Sequence, residues 1–178
     1  MRTILPVLIL GLSSAVSAQE IPFKDRTPVP AFELQQVDGP PLAGTRTGGS
    51  VSSRDLYGHL TVLELFYPGC GPCTTTHSRM QHLATAFSDS AVRVLSISAD
   101  TNTIKIKEWL RAQGGTVLPT LVLSKELELA LTLRAVPRII VVDIGGNIAL
   151  DRVGATIPYD SLPAILSRLR CENASLRC

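Results

Sequence analysis

Six residues, Thr61-Val62-Leu63-Glu64-Leu65-Phe66, form an apolar run broken by one charge, and Met80, Leu83, Ala84 and Phe87 then recur at helical spacing. The run predicts a buried strand and the recurrence an amphipathic helix. Val92 to Ser98 reads as a second strand, and Ile106, Trp109 and Leu110 mark a helix that stops at Gly114-Gly115. Thr120 to Leu123 is a short apolar piece, followed by helix spacing at Leu127, Ala130, Leu131 and Arg134. Arg138 to Val142 is β-branched and reads as a strand; Asp143 to Asn147 is a turn, and Ile148 to Val153 its hairpin partner. Leu162, Ile165, Leu166 and Leu169 close the chain with a helix.

Parallel βαβ units followed by an antiparallel hairpin and a helix predict an α/β fold over residues 54–170. Its central mixed β-sheet would carry helices on both faces. Upstream, Ile21 to Ser53 is rich in Pro, Gly, Thr and Ser, with one extended piece at Ala31-Phe32-Glu33-Leu34 and a turn at Asp38-Gly39-Pro40-Pro41. Residues 19–53 therefore read as an N-terminal arm and β-hairpin extension lying against the domain, with Ala43 to Ser50 an exposed loop.

Composition sharpens this picture at two points. With 178 residues, 45% hydrophobic and 18% charged, the chain is long enough for one domain with a proper core. A net charge of +2, without a basic run or a Gly-rich phosphate loop, gives no support for nucleic acid or nucleotide partners. Residues 1–18 read as a secretory signal peptide: Arg2 is the positive end, Ile4 to Leu12 the apolar middle, and Val16-Ser17-Ala18 the cleavage site. The alternative is an uncleaved N-terminal anchor. Cleavage after Ala18 would leave a protein without stable membrane insertion, in a compartment where disulfides persist.

The candidate chemistry lies between the first strand and the first helix, at Cys70-Gly71-Pro72-Cys73. A Cys-x-x-Cys string alone could be a redox dithiol, half a zinc site, a haem attachment or a buried pair. Haem attachment needs His after the second Cys, and Thr74 stands there; zinc needs four ligands, and Cys171 and Cys178 fit that role poorly. Redox use fits best, because a helix N-terminus beside the first sulfur favours its thiolate. The three histidines, His59, His77 and His82, have no ligand spacing and read as surface or helix-face residues. No metal and no cofactor is expected.

Cys70-Gly71-Pro72-Cys73 after a strand, with Ala135-Val136-Pro137 opening a later one, resembles the paired signatures of thioredoxin-fold proteins. Ser53-Arg54-Asp55-Leu56-Tyr57-Gly58 and Val141-Val142-Asp143-Ile144-Gly145-Gly146, together with the Asp38-Gly39 turn and the signal sequence, are similar to the TlpA-like (ResA-like) branch of exported thioredoxins. The likeness spans roughly residues 28–170. It implies a thioredoxin fold, a cis Pro137 facing the dithiol, Cys70 as nucleophile and Cys73 as the buried resolving thiol. The backbone of Val136 would pair with an extended substrate. Glu64 falls where thioredoxins bury an acid behind the second sulfur; shared facing with Val62 and Phe66 predicts burial and a proton-carrying role for Cys73, against an edge-strand Glu in solvent.

Two departures bear on substrate choice. Gly69 replaces the usual Trp before the first Cys, and Arg138 replaces the usual Thr after the proline. The Arg138 guanidinium either points toward the dithiol, stabilising thiolate, or is a surface charge. Cys171 and Cys178, outside the likeness, read as a structural disulfide closing the tail at 171–178, or as a second electron-relay dithiol.

The expected activity is that of a periplasmic thiol:disulfide oxidoreductase reducing disulfides of other exported proteins, such as apocytochrome cysteines, with electrons from a membrane partner. The alternatives are a disulfide donor or isomerase, and a thiolate metal-binding protein.

Overall fold

The computed structural model describes residues 20–43, 49–88 and 92–173. The expected signal peptide, most of the loop at 43–50, and Cys178 lie outside the described residues. Strands β1 (Glu33–Asp38), β2 (Ser50–Ser52), β3 (Leu60–Phe66), β4 (Val92–Ser98), β5 (Thr120–Val122), β6 (Arg138–Val142) and β7 (Ile148–Val153) form one sheet in the order β2-β1-β5-β4-β3-β6-β7. Helices α1 (Gly71–Ala86), α2 (Thr103–Ala112), α3 (Lys125–Ala130) and α4 (Leu162–Asn173) flank it.

Every residue of β3 is buried, because the strand lies between β4, to which it is parallel, and β6, to which it is antiparallel, with a covered face on either side. Alternation sorts its side chains. Leu63 and Leu65 join Leu127 of α3 and Phe32 and Leu34 from the N-terminal arm and hairpin, whereas Leu60 and Val62 join Met80 of α1 and Leu166 of α4. Phe66, at the end of the second series, packs with Cys73 of α1 and with Ile106 and Leu110 of α2. Glu64 belongs to this same α1-facing series, opposite Ser96 on β4 and Ile139 on β6.

The hairpin of β1 and β2 does more than lie against the domain: β1 also pairs antiparallel with β5, which makes the extension part of the sheet. Gly39 permits this at the turn after β1. Its φ is +78°, and a Cβ there would lie 2.0 Å from the Leu118 carbonyl oxygen, so no other residue fits without displacing backbone.

Short 3-10 turns at Phe23–Asp25, Ser53–Leu56 and Gly154–Thr156 have no counterpart in the apolar periodicity. The second is held by a reciprocal cap, with the Ser52 N–H donating to Asp55 Oδ2 at 2.7 Å. At the far side of the sheet, the arm runs along β7: Ile21 N–H donates to Ala149 O, Ile148 N–H to Thr27 O and Val29 N–H to Gly146 O. Arg26 anchors it with a guanidinium only 2% exposed, bonded to Asp143 at 3.2 Å and Glu172 at 2.8 Å.

Candidate active site

Cys70 caps the N-terminus of α1 and Cys73 lies one turn inside, which brings their Cα atoms to 5.2 Å and closes a disulfide between them. Cys70 Sγ also accepts the Cys73 N–H at 3.2 Å, and the first turn of the helix carries no acidic residue. Once the bond is reduced, the Cys73 backbone donor and the helix dipole both favour negative charge on the Cys70 sulfur. The two sulfurs differ in access. Cys70 is half-buried behind exposed Gly69, Gly71 and Pro72, whereas Cys73 is completely buried.

The Val136–Pro137 peptide is cis, and Val136 packs in the small apolar cluster that holds Cys70, Cys73, Phe66 and Trp109. Chain segments almost seventy residues apart thus meet at the dithiol, because β6 runs antiparallel to β3 and starts where β3 ends. Gly69 has a φ of +88° with open space around its Cα, so the approach to Cys70 is unobstructed on that side.

Glu64 is fully buried, and its Oε2 is held from two directions. His77 Nδ1 lies 2.8 Å away, and Ser96 Oγ donates to the same oxygen. This corrects the reading of His77 as a surface or helix-face group. It is completely buried, one turn after Cys73 on the inward stripe of α1 that continues through Met80 and Leu83. Its ring lies edge-on to Trp109 with centroids 5.3 Å apart, and Trp109 in turn stacks on Phe66 at 4.8 Å. The signal was present: spacing from Cys73 to Met80 already places residue 77 on the core face. The other histidines differ, His82 being exposed and His59 half-buried, where desolvation and then the Arg93 charge lower its pKa.

Arg138 does not face the dithiol. Its Nε and Nη2 grip Asp151 on β7 at 2.7 and 2.6 Å, and its Nη1 donates to the Leu131 carbonyl oxygen at 2.8 Å. The charge is compensated by a bidentate carboxylate, so neither alternative, thiolate stabiliser or free surface charge, describes it. Cys171 lies half-buried on α4, away from the dithiol cluster.

A polar rim that the sequence pattern did not single out stands beside Cys70. Tyr67, whose carbonyl oxygen accepts the Cys70 N–H, is 41% exposed, and Lys105 of α2 lies over its ring at 4.5 Å. Lys105 Nζ donates to Tyr67 Oη at 3.1 Å and to Asp100 at 2.7 Å. The Lys105 hydrogen bond is the main cause of a lowered Asp100 pKa, with the Asn102 N–H second, and Asp100 in turn raises that of Lys105. Among the described residues, no group of three or more His, Cys, Asp or Glu is placed to hold a metal ion.

The model of the AhpC/TSA family matches residues 26–150, which takes in the dithiol, the cis proline and the sheet from β1 through β6 to the first half of β7. The chain belongs to the AhpC/TSA family. No curated protein matches it. Among solved structures, this AhpC/TSA chain is similar to a thiol:disulfide interchange protein of the thioredoxin family from Chlorobium tepidum TLS, with 21% identity over 81% of this chain and 96% of that one, and a TM-score of 0.66. The thioredoxin domain of a thiol-disulfide oxidoreductase from Bacteroides vulgatus gives 20% identity, 79% and 96% coverage, and a TM-score of 0.63. A thiol:disulfide interchange protein from Bacteroides sp. gives 19%, 79% and 90%, and 0.61. The fold is that of thioredoxin-like proteins, and fold, AhpC/TSA membership and the closed Cys70–Cys73 pair are together those of a thioredoxin-like thiol:disulfide oxidoreductase.

Proposed function

We propose that this protein acts outside the cytoplasm as a reductase of disulfides in other exported proteins. The observation that carries the reading is the closed pair at the start of α1, one sulfur reachable and one buried, with Val136 packed beside both. Reduced Cys70 attacks a substrate disulfide as thiolate. One substrate sulfur becomes bonded to Cys70, and the other leaves with the electron pair and takes a proton from solvent. Cys73 then gives up its proton to Glu64 and attacks the Cys70 sulfur. The internal disulfide reforms, and the second substrate sulfur leaves as a thiolate that is protonated in turn.

Val136 and Gly69 form the substrate's seat in this scheme. Gly69 leaves the approach open, and the Val136 backbone, two residues before β6 begins, is the stretch an extended substrate would pair with. The Gly71-Pro72 dipeptide between the cysteines is the thioredoxin type, associated with potentials near about −270 mV, which favours reduction over donation of disulfides. Apocytochrome cysteines awaiting haem are a substrate class that needs this activity, and a membrane protein with its own dithiol would resupply the electrons. The signal-like residues 1–18 support export, and a tail disulfide between Cys171 and Cys178, if formed, would be at home in the same compartment.

Capture by a Cys73→Ser variant tests the reading. Cys70 should then accumulate mixed disulfides with exported substrates that dissolve on reduction, and Cys70→Ser should accumulate none. A measured potential well above that of the glutathione pool would move the assignment to disulfide donor or isomerase.

A further inference from the structure

The Cys73 thiol is enclosed, so the proton it must lose and regain needs a carrier inside the protein. Within the layer around it, the buried ionisable partners are Glu64 on β3 and His77 on α1. From β4 comes Ser96, from α2 the uncharged Trp109, Ile106 and Leu110, and from β6 the apolar Ile139. Beyond His77, the Tyr159 hydroxyl is bonded to Thr76 Oγ1, and the remaining buried carboxylate described, Asp143, lies past the far end of β6, paired with Arg26. The distribution of contacts within the Glu64 carboxyl is lopsided. Both donors converge on Oε2, while Oε1 has no hydrogen-bond partner among the described residues, and neither has His77 Nε2. Buried polar atoms without partners are uncommon in folded proteins and call for a reason.

We infer that His77 is a positioning residue for proton transfer at Cys73: with Ser96 it locks the Glu64 carboxyl through Oε2, which leaves Oε1 as the atom that takes and returns the Cys73 proton. This deepens the oxidoreductase reading above and rests on it. During resolution the Cys73 S–H proton passes to Oε1 as the Cys73–Cys70 sulfur bond forms and the Cys70–substrate bond breaks, the electron pair leaving on the substrate sulfur. When an external dithiol reduces the enzyme again, the proton returns from Oε1 to the Cys73 sulfur. His77 keeps its Nδ1 proton on the Oε2 side throughout. Its contribution is to stop the carboxyl from rotating, so that the same oxygen meets the sulfur in every cycle.

The reaction of the reduced full-length protein with dithionitrobenzoate separates the two steps, since the first thionitrobenzoate released reports attack by Cys70 and the second reports resolution by Cys73. Followed from about pH 5 to about pH 9, the His77→Leu variant should slow the second release roughly ten- to hundredfold and alter its pH profile, with the first release within about twofold of the parent. His77→Asn, whose side-chain amide can donate from close to the Nδ1 position, should recover most of the loss. Equal slowing of both phases in His77→Leu, an unchanged second phase, or no recovery in His77→Asn would overturn the proposal. If the parent protein itself gave no second release, the oxidoreductase reading would fail instead. Should the variants not fold, imidazole nitrogen NMR of the parent decides: Nδ1 protonated in both oxidised and reduced protein is expected, and loss of that proton in either state refutes the role.

Discussion

Arg138 shows how little a charged residue's position says about its direction. In sequence it follows the proline beside the dithiol, yet its guanidinium turns to Asp151 across the β6–β7 pair, because a bidentate carboxylate one strand away outcompetes a distant thiolate. Asp151→Ala should therefore cost about 1.5–3 kcal/mol of stability, read from the urea midpoint, while the alkylation rate of Cys70 stays near that of the parent. His77 was hidden for a different reason. Histidine has no fixed preference for core or surface, and only the stripe it shares with Cys73 and Met80 marks it as inward. The Tyr67–Lys105–Asp100 rim was illegible because it joins the end of a strand to a helix thirty-odd residues on. Its titration has a definite sign. Asp100, with its folded pKa lowered, contributes stability above its unfolded pKa, and the contribution is lost as pH falls through the folded value. Lys105, with its pKa raised, contributes below its unfolded value and loses the contribution as pH rises through the folded one. The stability difference between parent and Asp100→Asn should accordingly be constant near neutrality and vanish in acid.

Elements were read most reliably where one physical signal dominated. The β-branched run of β6 and its turn-bounded partner β7 have the bounds expected of them, as does β4. The helix after the dithiol was recognisable from Met80, Leu83, Ala84 and Phe87, although Thr76 and His77 on its buried face dilute the apolar stripe. What periodicity could not reveal was pairing between distant elements, above all that of β1 with β5, which depends on a tight approach at Gly39. Gly39→Ala should shift the hairpin off Leu118 and lower the melting temperature, with a loss of more than ~1 kcal/mol, because an alanine at positive φ is strained and backbone must move to admit its Cβ. Hydrogen exchange should report the damage first at β1 and β5.

At the scale of the whole molecule, one buried cation ties three distant parts together. Arg26 on the arm meets Asp143 after β6 and Glu172 on α4, and Asp143 Oδ1 also accepts the N–H groups of Gly145 and Asn147. Arg26→Ala would strand a carboxylate that is 1% exposed and should cost about 3–5 kcal/mol in chemical denaturation, whereas pairing it with Asp143→Asn should recover part of the loss. The arm's course along β7 has a further consequence. By taking the Ile148 amide and the Ala149 carbonyl, residues 21–29 cover the start of that strand's outer edge and deny neighbouring copies a place to pair there. Trimmed of this border, the protein would be expected to self-associate through the bared strand, which light scattering would report.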